Sequence, residues 1–272
     1  MKPLKIESQT AVVVLSSDTY SDVWPVQFEF WFKNSPFGDL PIFLVSDSIT
    51  YADSRVTTLL SKRQANAWSD RVLDAITQIE YPYIILLTED LLCLPGSNIT
   101  DLHNAIDEFL HLNAKVLAFT PSVSRLKLEG YLLVKIIPNW AMHRVSLQMS
   151  LWQRQYLLEM LHPNESPWQF ELNGTSRSRQ IDGFLCGAKA LVNYVEVIGK
   201  GKYTRDGLSI IKKQLIDWQP SRMIFTRKEQ LIRTYGHLKE NLFSIFPIKF
   251  QEYLIKNRYV GKGFYWINFL EY

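Results

Sequence analysis

Three short runs of β-branched and aliphatic residues, AVVVLS at 11–16, PIFLVS at 41–46 and YIILL at 83–87, limit most strongly how this chain can fold. Each is apolar throughout instead of alternating, the pattern of a strand buried on both faces of a parallel sheet. Between the first two, DVWPVQFEFWFK at 22–33 has the aromatic density of a helix packed on a sheet, and Pro25 falls where a first turn tolerates it. Trp68-Ser69-Asp70 opens a second helix behind a Ser or Asp cap, with Val72, Leu73, Ile76 and Ile79 at helical spacing. Residues 101–112 read as a third helix and KVLAFT at 115–120 as a further strand. This succession predicts an open α/β sheet whose ligands meet the loops at the carboxyl ends of its strands.

The rhythm changes after Pro121. YLLVKII at 131–137 and RVSLQMS at 144–150, separated by a turn-like PNWAMH, predict paired antiparallel strands. Helices are expected at 153–161 and 168–179, then a strand at 191–198 leading into Gly199-Lys200-Gly201-Lys202, and a helical pattern at 208–218. Charge divides along the same line: residues 1–121 hold 8 Lys and Arg against 15 Asp and Glu, whereas 122–272 hold 22 against 12. An acidic half suits a cation and a basic half suits anions such as phosphates, an acidic glycan or a membrane surface. Apolar runs fall short of the roughly 18–20 residues that cross a bilayer. The segment MKPLKIESQT has no apolar stretch of a secretory signal, so a cytoplasmic protein is expected. Cys93 and Cys186 lack any CxxC or Cys/His spacing and read as reduced, buried thiols.

The chemistry-bearing features are two. In YIILLTEDLL an apolar strand runs straight into Glu89 and Asp90, and two carboxylates at the mouth of a parallel sheet can hold a divalent cation against a diphosphate. Neither GxGxxG nor GxxxxGK[ST] comes after any expected strand, which argues against dehydrogenase and P-loop chemistry. The second feature, HRVSLQMSLWQRQYLLEML and then HPNESPWQFE, gathers Gln148, Trp152, Glu165, Trp168 and Glu171. Aromatic faces beside amides and carboxylates suit a sugar, which offers apolar CH faces and a ring of hydroxyls. Glu171, with Glu165 in reserve, is a candidate general base, while Trp152 also fits a core position.

D-T-Y-S-D-V-W at 18–24, P-I-F-L-V-S-D at 41–47, W-S-D-R at 68–71, Y-I-I-L-L-T-E-D at 83–90, R-V-S-L-Q-M-S-L-W at 144–152 and E-S-P-W-Q-F-E at 165–171 together resemble GT-A type glycosyltransferases of bacterial capsule and lipopolysaccharide gene clusters. The likeness runs over about residues 10–205, in matching order. Thr88-Glu89-Asp90 departs from the Asp-rich metal motif of such enzymes. The resemblance implies a GT-A-like open sheet, with a Rossmann-like nucleotide-sugar part at 1–121 and a mixed-sheet acceptor part at 122–205; residues 206–272, which have no counterpart in that pattern, read from their composition as a basic, aromatic helical extension. It implies Asp18 and Tyr20 beside the nucleoside, Asp47 near base or ribose, and Asp70 with Arg71 near ribose and phosphates.

The expected reaction is a metal-assisted, inverting transfer from a nucleotide sugar, a UDP-sugar favoured, to a glycan or lipid-linked acceptor. Glu171 takes the acceptor proton, and Glu89 and Asp90 hold Mg²⁺ or Mn²⁺. Lys200, Lys202 and Arg205, in GKGKYTRDG, are placed to meet the pyrophosphate. A nucleotidyltransferase is a competing reading that expects a Gly-rich N-terminal signature, which this chain lacks; a catalytically silent glycan-binding or assembly protein is another. No nucleic-acid partner is expected. Residues 222–272 interleave nine Lys and Arg with aromatics such as Phe243, Phe246, Phe250, Tyr253 and Trp266, which suits either peripheral contact with an anionic bilayer or a helical subdomain closing over the sheet.

Overall fold

The computed structural model describes residues 6–61, 67–214 and 219–257. Its first half alternates as the apolar runs demand: β1 (Thr10–Leu15), α1 (Trp24–Asn34), β2 (Ile42–Ser46), β3 (Val56–Leu60), α2 (Trp68–Thr77), β4 (Tyr83–Thr88), β5 (Leu91–Cys93), α3 (Ile99–His111) and β6 (Val116–Ala118). Then come β7 (Leu126–Lys127), β8 (Val134–Ile136), β9 (Ser150–Gln153), α4 (Arg154–Met160), α5 (Pro167–Arg177), β10 (Phe184–Gly187), β11 (Tyr194–Glu196), β12 (Ile198–Gly199) and β13 (Lys202–Tyr203). Three helices, α6 (Arg205–Gln214), α7 (Arg227–Ile245) and α8 (Ile248–Lys256), make the C-terminal part.

Nine strands form one sheet in the order β3-β2-β1-β4-β9-β6-β10-β8-β7. The β3-β2-β1-β4 half is parallel, β9 runs antiparallel to both its neighbours, and β10 is parallel to β6. The chain is thus a mixed α/β protein on an open nine-stranded sheet with a helical C-terminal part. Both faces of the sheet are covered, which explains why β1 and β4 read as continuous apolar runs. Val12, Val14, Ile85 and Leu87 face α1 and α3, while Ala11, Val13, Ile84 and Leu86 face α2, α4 and α5. Each such aliphatic side chain contributes about 1.5–3 kcal/mol by leaving water.

Three expectations change. RVSLQMS is not a strand and does not pair with YLLVKII. β8 pairs instead with β7 and β10, and only Ser150 of that run enters β9. Val145, Leu147 and Met149 are buried as alternation suggests, yet this backbone loops and is held by side chains. Arg144, 4% exposed, donates to the carbonyls of Ile137 (3.2 Å), Ser178 and Ile181 (2.7 Å) and lies over the Phe184 ring. Second, α2 has no side-chain cap: Ala67 precedes it, and the Ser69 hydroxyl accepts the Glu165 N–H at 2.8 Å instead. Third, the strand expected at 191–198 divides into β11, which pairs with β5, and β12, which forms a hairpin with β13. The expected helix end at 215–218 and the aromatics after residue 257, Trp266 among them, lie outside the described residues. Among the described residues, no helix is long and apolar enough to cross a membrane.

Candidate functional site

Loops at one edge of the sheet enclose a cleft of about 1450 Å³. Parallel β1 and β4 deliver the residues just past their carboxyl ends, Ser16, Ser17 and Tyr20 from one and Glu89 and Asp90 from the other. Antiparallel β9 brings the loop before it to the same edge, with Ser146 and Gln148. The helix α5 adds Trp168 and Glu171; its entry is fixed by a capping box between Ser166 and Gln169 and by Pro167 in the first turn. Glu196 on β11 reaches the cleft because β11 pairs with β5 immediately after Asp90, Val197 N–H bonding the Asp90 carbonyl at 2.9 Å.

Four carboxylates therefore share one wall: Glu89, Asp90, Glu171 and Glu196. Burial, then the neighbouring Asp90 charge, holds Glu89 above the ordinary carboxylate range, with Ser16 bonding and Arg222 opposing the rise. Burial, then Glu196, does the same for Asp90, whose carboxylate accepts the Thr88 hydroxyl at 2.6 Å. Glu171 is raised mainly by burial, against an N–H bond from Leu147 of 2.7 Å that fixes its orientation. Two basic side chains of the C-terminal part answer this wall. Arg233 on α7 pairs with Glu196 at 3.2 Å, and Arg222 grips Asp22 in three bonds, donates to the Thr19 carbonyl and lies 4.3 Å over the Tyr20 ring.

Among the described residues no cluster of three or more His, Cys, Asp or Glu side chains is arranged to cage a metal ion. The donor set nonetheless fits Mg²⁺ or Mn²⁺ of the kind that takes one or two carboxylates and completes its shell with phosphate oxygens. Glu89 and Asp90 are adjacent, oxygen-only and held in a region where negative charge is unfavourable. A folded-state acid held above its unfolded value contributes stability that is fully present below the ordinary carboxylate range and is lost as pH rises through the raised value. The metal-free protein should therefore lose roughly 5 °C or more of Tm between about pH 5 and pH 8. Added Mg²⁺ or Mn²⁺ should restore most of it at the alkaline end only, and Glu89→Gln should flatten the slope; a Tm that climbs over this range contradicts the assignment.

Several residues singled out from sequence stand outside the cleft wall, each for a visible reason. Asp18 is a backbone clamp: it accepts the N–H groups of Ser48 and Ile49 and the hydroxyls of Ser46 (2.7 Å) and Ser48 (2.5 Å). Burial would raise its pKa, but these bonds win and hold the carboxyl well below the usual range. Asp47 accepts the Asp18 N–H at 2.9 Å and pairs with Arg71. Asp70 accepts the Asn164 N–H at 3.4 Å. Glu165 is buried and paired with Arg177 at 2.6 and 2.9 Å and Asn173 at 2.8 Å; burial would raise its pKa, but these bonds lower it. Lys202 is engaged by Glu229 at 2.7 Å, and Arg205 lies on α6 beside a second, shallower depression.

Tyr20, Arg71, Gln148, Trp168 and Lys200 do line the cleft, with Glu89, Asp90 and Glu171. Gln148 accepts the Tyr194 hydroxyl at 3.0 Å, and Trp168 is 51% exposed. Among the described residues the buried Nε of Arg71 has no acceptor. Trp152 sits in the floor, 0% exposed, stacked with Tyr156 and donating to Ser150 at 2.9 Å, a core side chain. Sequence reasoning missed Glu196, Tyr194 and His143, and it missed α7, whose Arg233, Gly236, His237, Glu240 and Phe243 form the opposite wall. The left-handed backbone of His143 and Lys200, φ 49° in each, marks two of these turns, but nothing local in the sequence announces it.

No family model matches the chain, and no curated protein does. Among solved structures it is similar to S. aureus TarS, 11% identical with a TM-score of 0.47, over 95% of this chain; the chain spans 43% of that TarS chain. A UTP-bound UGPase from Acinetobacter baumannii gives 12% identity and a TM-score of 0.48, over 85% of this chain and 99% of the other. TarS 1-349 in complex with UDP-GlcNAc gives 12% and 0.45, over 93% and 73%. Likenesses this distant carry no activity over to this chain.

Proposed function

We propose that this chain is a glycosyltransferase that moves a sugar from a nucleotide-sugar donor, UDP-linked by preference, to a hydroxyl of a glycan or lipid-linked acceptor in bacterial surface polysaccharide synthesis. One observation carries the reading: a single cleft at the carboxyl ends of β1 and β4 holds a pair of carboxylates suited to a diphosphate-bound cation, a separate carboxylate on α5, and exposed aromatic and amide groups between them. In this reading residues 1–121 hold the nucleotide, 122–205 hold the acceptor, and α7 completes the wall.

Glu171, kept basic by burial and aimed by Leu147 N–H, accepts the proton of the acceptor hydroxyl as that oxygen attacks the anomeric carbon from the face opposite the leaving diphosphate. Trp168 and Gln148 orient the acceptor, one through an apolar face and one through hydrogen bonds. Tyr20, backed by Arg222, offers a flat face to the nucleoside. Arg71 and Lys200 meet the diphosphate, whose charge grows as the glycosidic bond breaks. A cation held by Glu89 and Asp90 would supply further charge neutralisation on that leaving group.

The test is calorimetric titration with UDP, and then a panel of UDP-, GDP-, TDP- and CMP-sugars scored for slow hydrolysis. Lys200→Ala should weaken UDP binding about tenfold, the worth of one charge-assisted hydrogen bond, while Lys202→Ala should change it little because Glu229 already holds that amine. A wild-type chain that binds no nucleoside diphosphate would sink the reading.

A further inference from the structure

The helix α7 is turned inside out relative to an ordinary surface helix. Glu229, Arg233, Gly236, His237, Lys239 and Glu240 line the cleft; Lys202 pairs with Glu229 there, and His237 lies 3.9 Å from Glu240. Leu231, Tyr235, Leu238, Leu242 and Ile245, three or four residues apart, share the other face, and all are more than half exposed; Leu231 is 69% exposed and Ile245 77%. The stripe continues past Pro247 onto α8 as Phe246, Phe250 and Tyr253, all exposed, with Phe246 and Phe250 in edge contact at 5.4 Å. A contiguous apolar surface of this extent on a folded chain marks an interaction site.

Charge identifies the partner. Arg227 and Lys228, both exposed, continue the row one turn before Leu231, Lys249 is exposed between the α8 aromatics, and Lys239, at the margin between stripe and cleft, lies 4.4 Å over the Tyr235 ring. The rim of the stripe is cationic and its centre apolar, whereas the acids of α7 are turned away. The one acid of α8, Glu252, is engaged by Lys256 at 2.5 Å on the same helix, so a second copy would bring the same excess of cations to the same rim. We infer that the outward face of α7 and α8 docks on an anionic lipid bilayer, leucines and aromatic rings entering the headgroup boundary and the cations meeting lipid phosphates. Since the inward face of the same helix walls the cleft, docking sets the cleft beside the membrane, where an amphiphilic, lipid-linked acceptor is presented. This acceptor class rests on the proposed glycosyl transfer; the docking surface does not.

The experiment is co-sedimentation of the full chain with phosphatidylglycerol–phosphatidylcholine vesicles and with phosphatidylcholine alone, at low and high salt, beside analytical ultracentrifugation without lipid and calorimetry with UDP. Expected is binding to the anionic vesicles, weakened by salt, and a loss of at least about tenfold in Leu238→Glu/Leu242→Glu, a variant whose Tm and UDP affinity stay those of the wild type. Absence of binding by the wild type at low salt, or undiminished binding by the variant, overturns the docking surface. So does a lipid-free dimer that the variant dissolves, which would make the stripe an interface between copies. Vesicle binding without UDP affinity would instead leave the surface standing and remove the reading of the cleft.

Discussion

Glu171→Gln should lower kcat by about 10²- to 10⁴-fold, the usual contribution of a positioned general base, and leave donor affinity nearly unchanged. Glutamine keeps an oxygen for the Leu147 N–H, so the helix and the 146–147 segment hold their places while the basic group is lost. The pH profile gives a second readout. Only the ionised carboxylate accepts a proton, and burial holds Glu171 above the usual carboxylate range, so wild-type kcat should rise with pH through a value higher than that of an exposed glutamate. The variant should lose this limb. An undiminished rate removes Glu171 from the role, and product anomer analysis by NMR decides whether the configuration inverts.

Arg144→Met should cost about 3–5 kcal/mol of stability, read as a lower urea midpoint at unchanged slope. The guanidinium stands in for a strand partner: it ties the carbonyl of Ile137 to those of Ser178 and Ile181 in the turn after α5, and it covers the Phe184 ring. Removing it withdraws the charged donor from all three carbonyls, of which Ser178 keeps the Ile181 N–H at 3.0 Å. Arg144→Lys should recover only part of the loss, because a single ammonium on a flexible stem does not span three carbonyls as a planar fork does. A cost below about 1 kcal/mol for methionine would mean that the loop is held by its apolar residues alone.

Legibility in the sequence depends on how local each cause is. β1, β2 and β4 were legible because both faces of each are buried, so every residue carries the same signal. β3, VTTLL at the sheet edge, alternates polar and apolar weakly, and three-residue β5 is defined by its partner β11 about a hundred residues away. RVSLQMS shows the converse: Val145, Leu147 and Met149 are buried in alternation, which pattern reveals, but whether a ladder or an arginine satisfies the backbone is a tertiary matter. Glu89 and Asp90 were legible at the site because a strand end places them. Asp18, Asp47 and Glu165 looked equivalent to them until their partners, 8 to 31 residues away or on other elements, could be seen. The α7 wall had no local mark, since polar residues facing a cleft and polar residues facing water look the same in one dimension.

The position of β9 has a consequence for how the chain is made. Because β9 fills the gap between β4 and β6, a chain emerging from its N-terminus carries four parallel strands with an open β4 edge until residues 150–153 arrive. That edge is the apolar YIILLT, an uncovered template for pairing with another polypeptide. Translation arrested before residue 150 should leave an aggregation-prone nascent chain that depends on a holding chaperone, whereas arrest after α4 should leave the edge sealed.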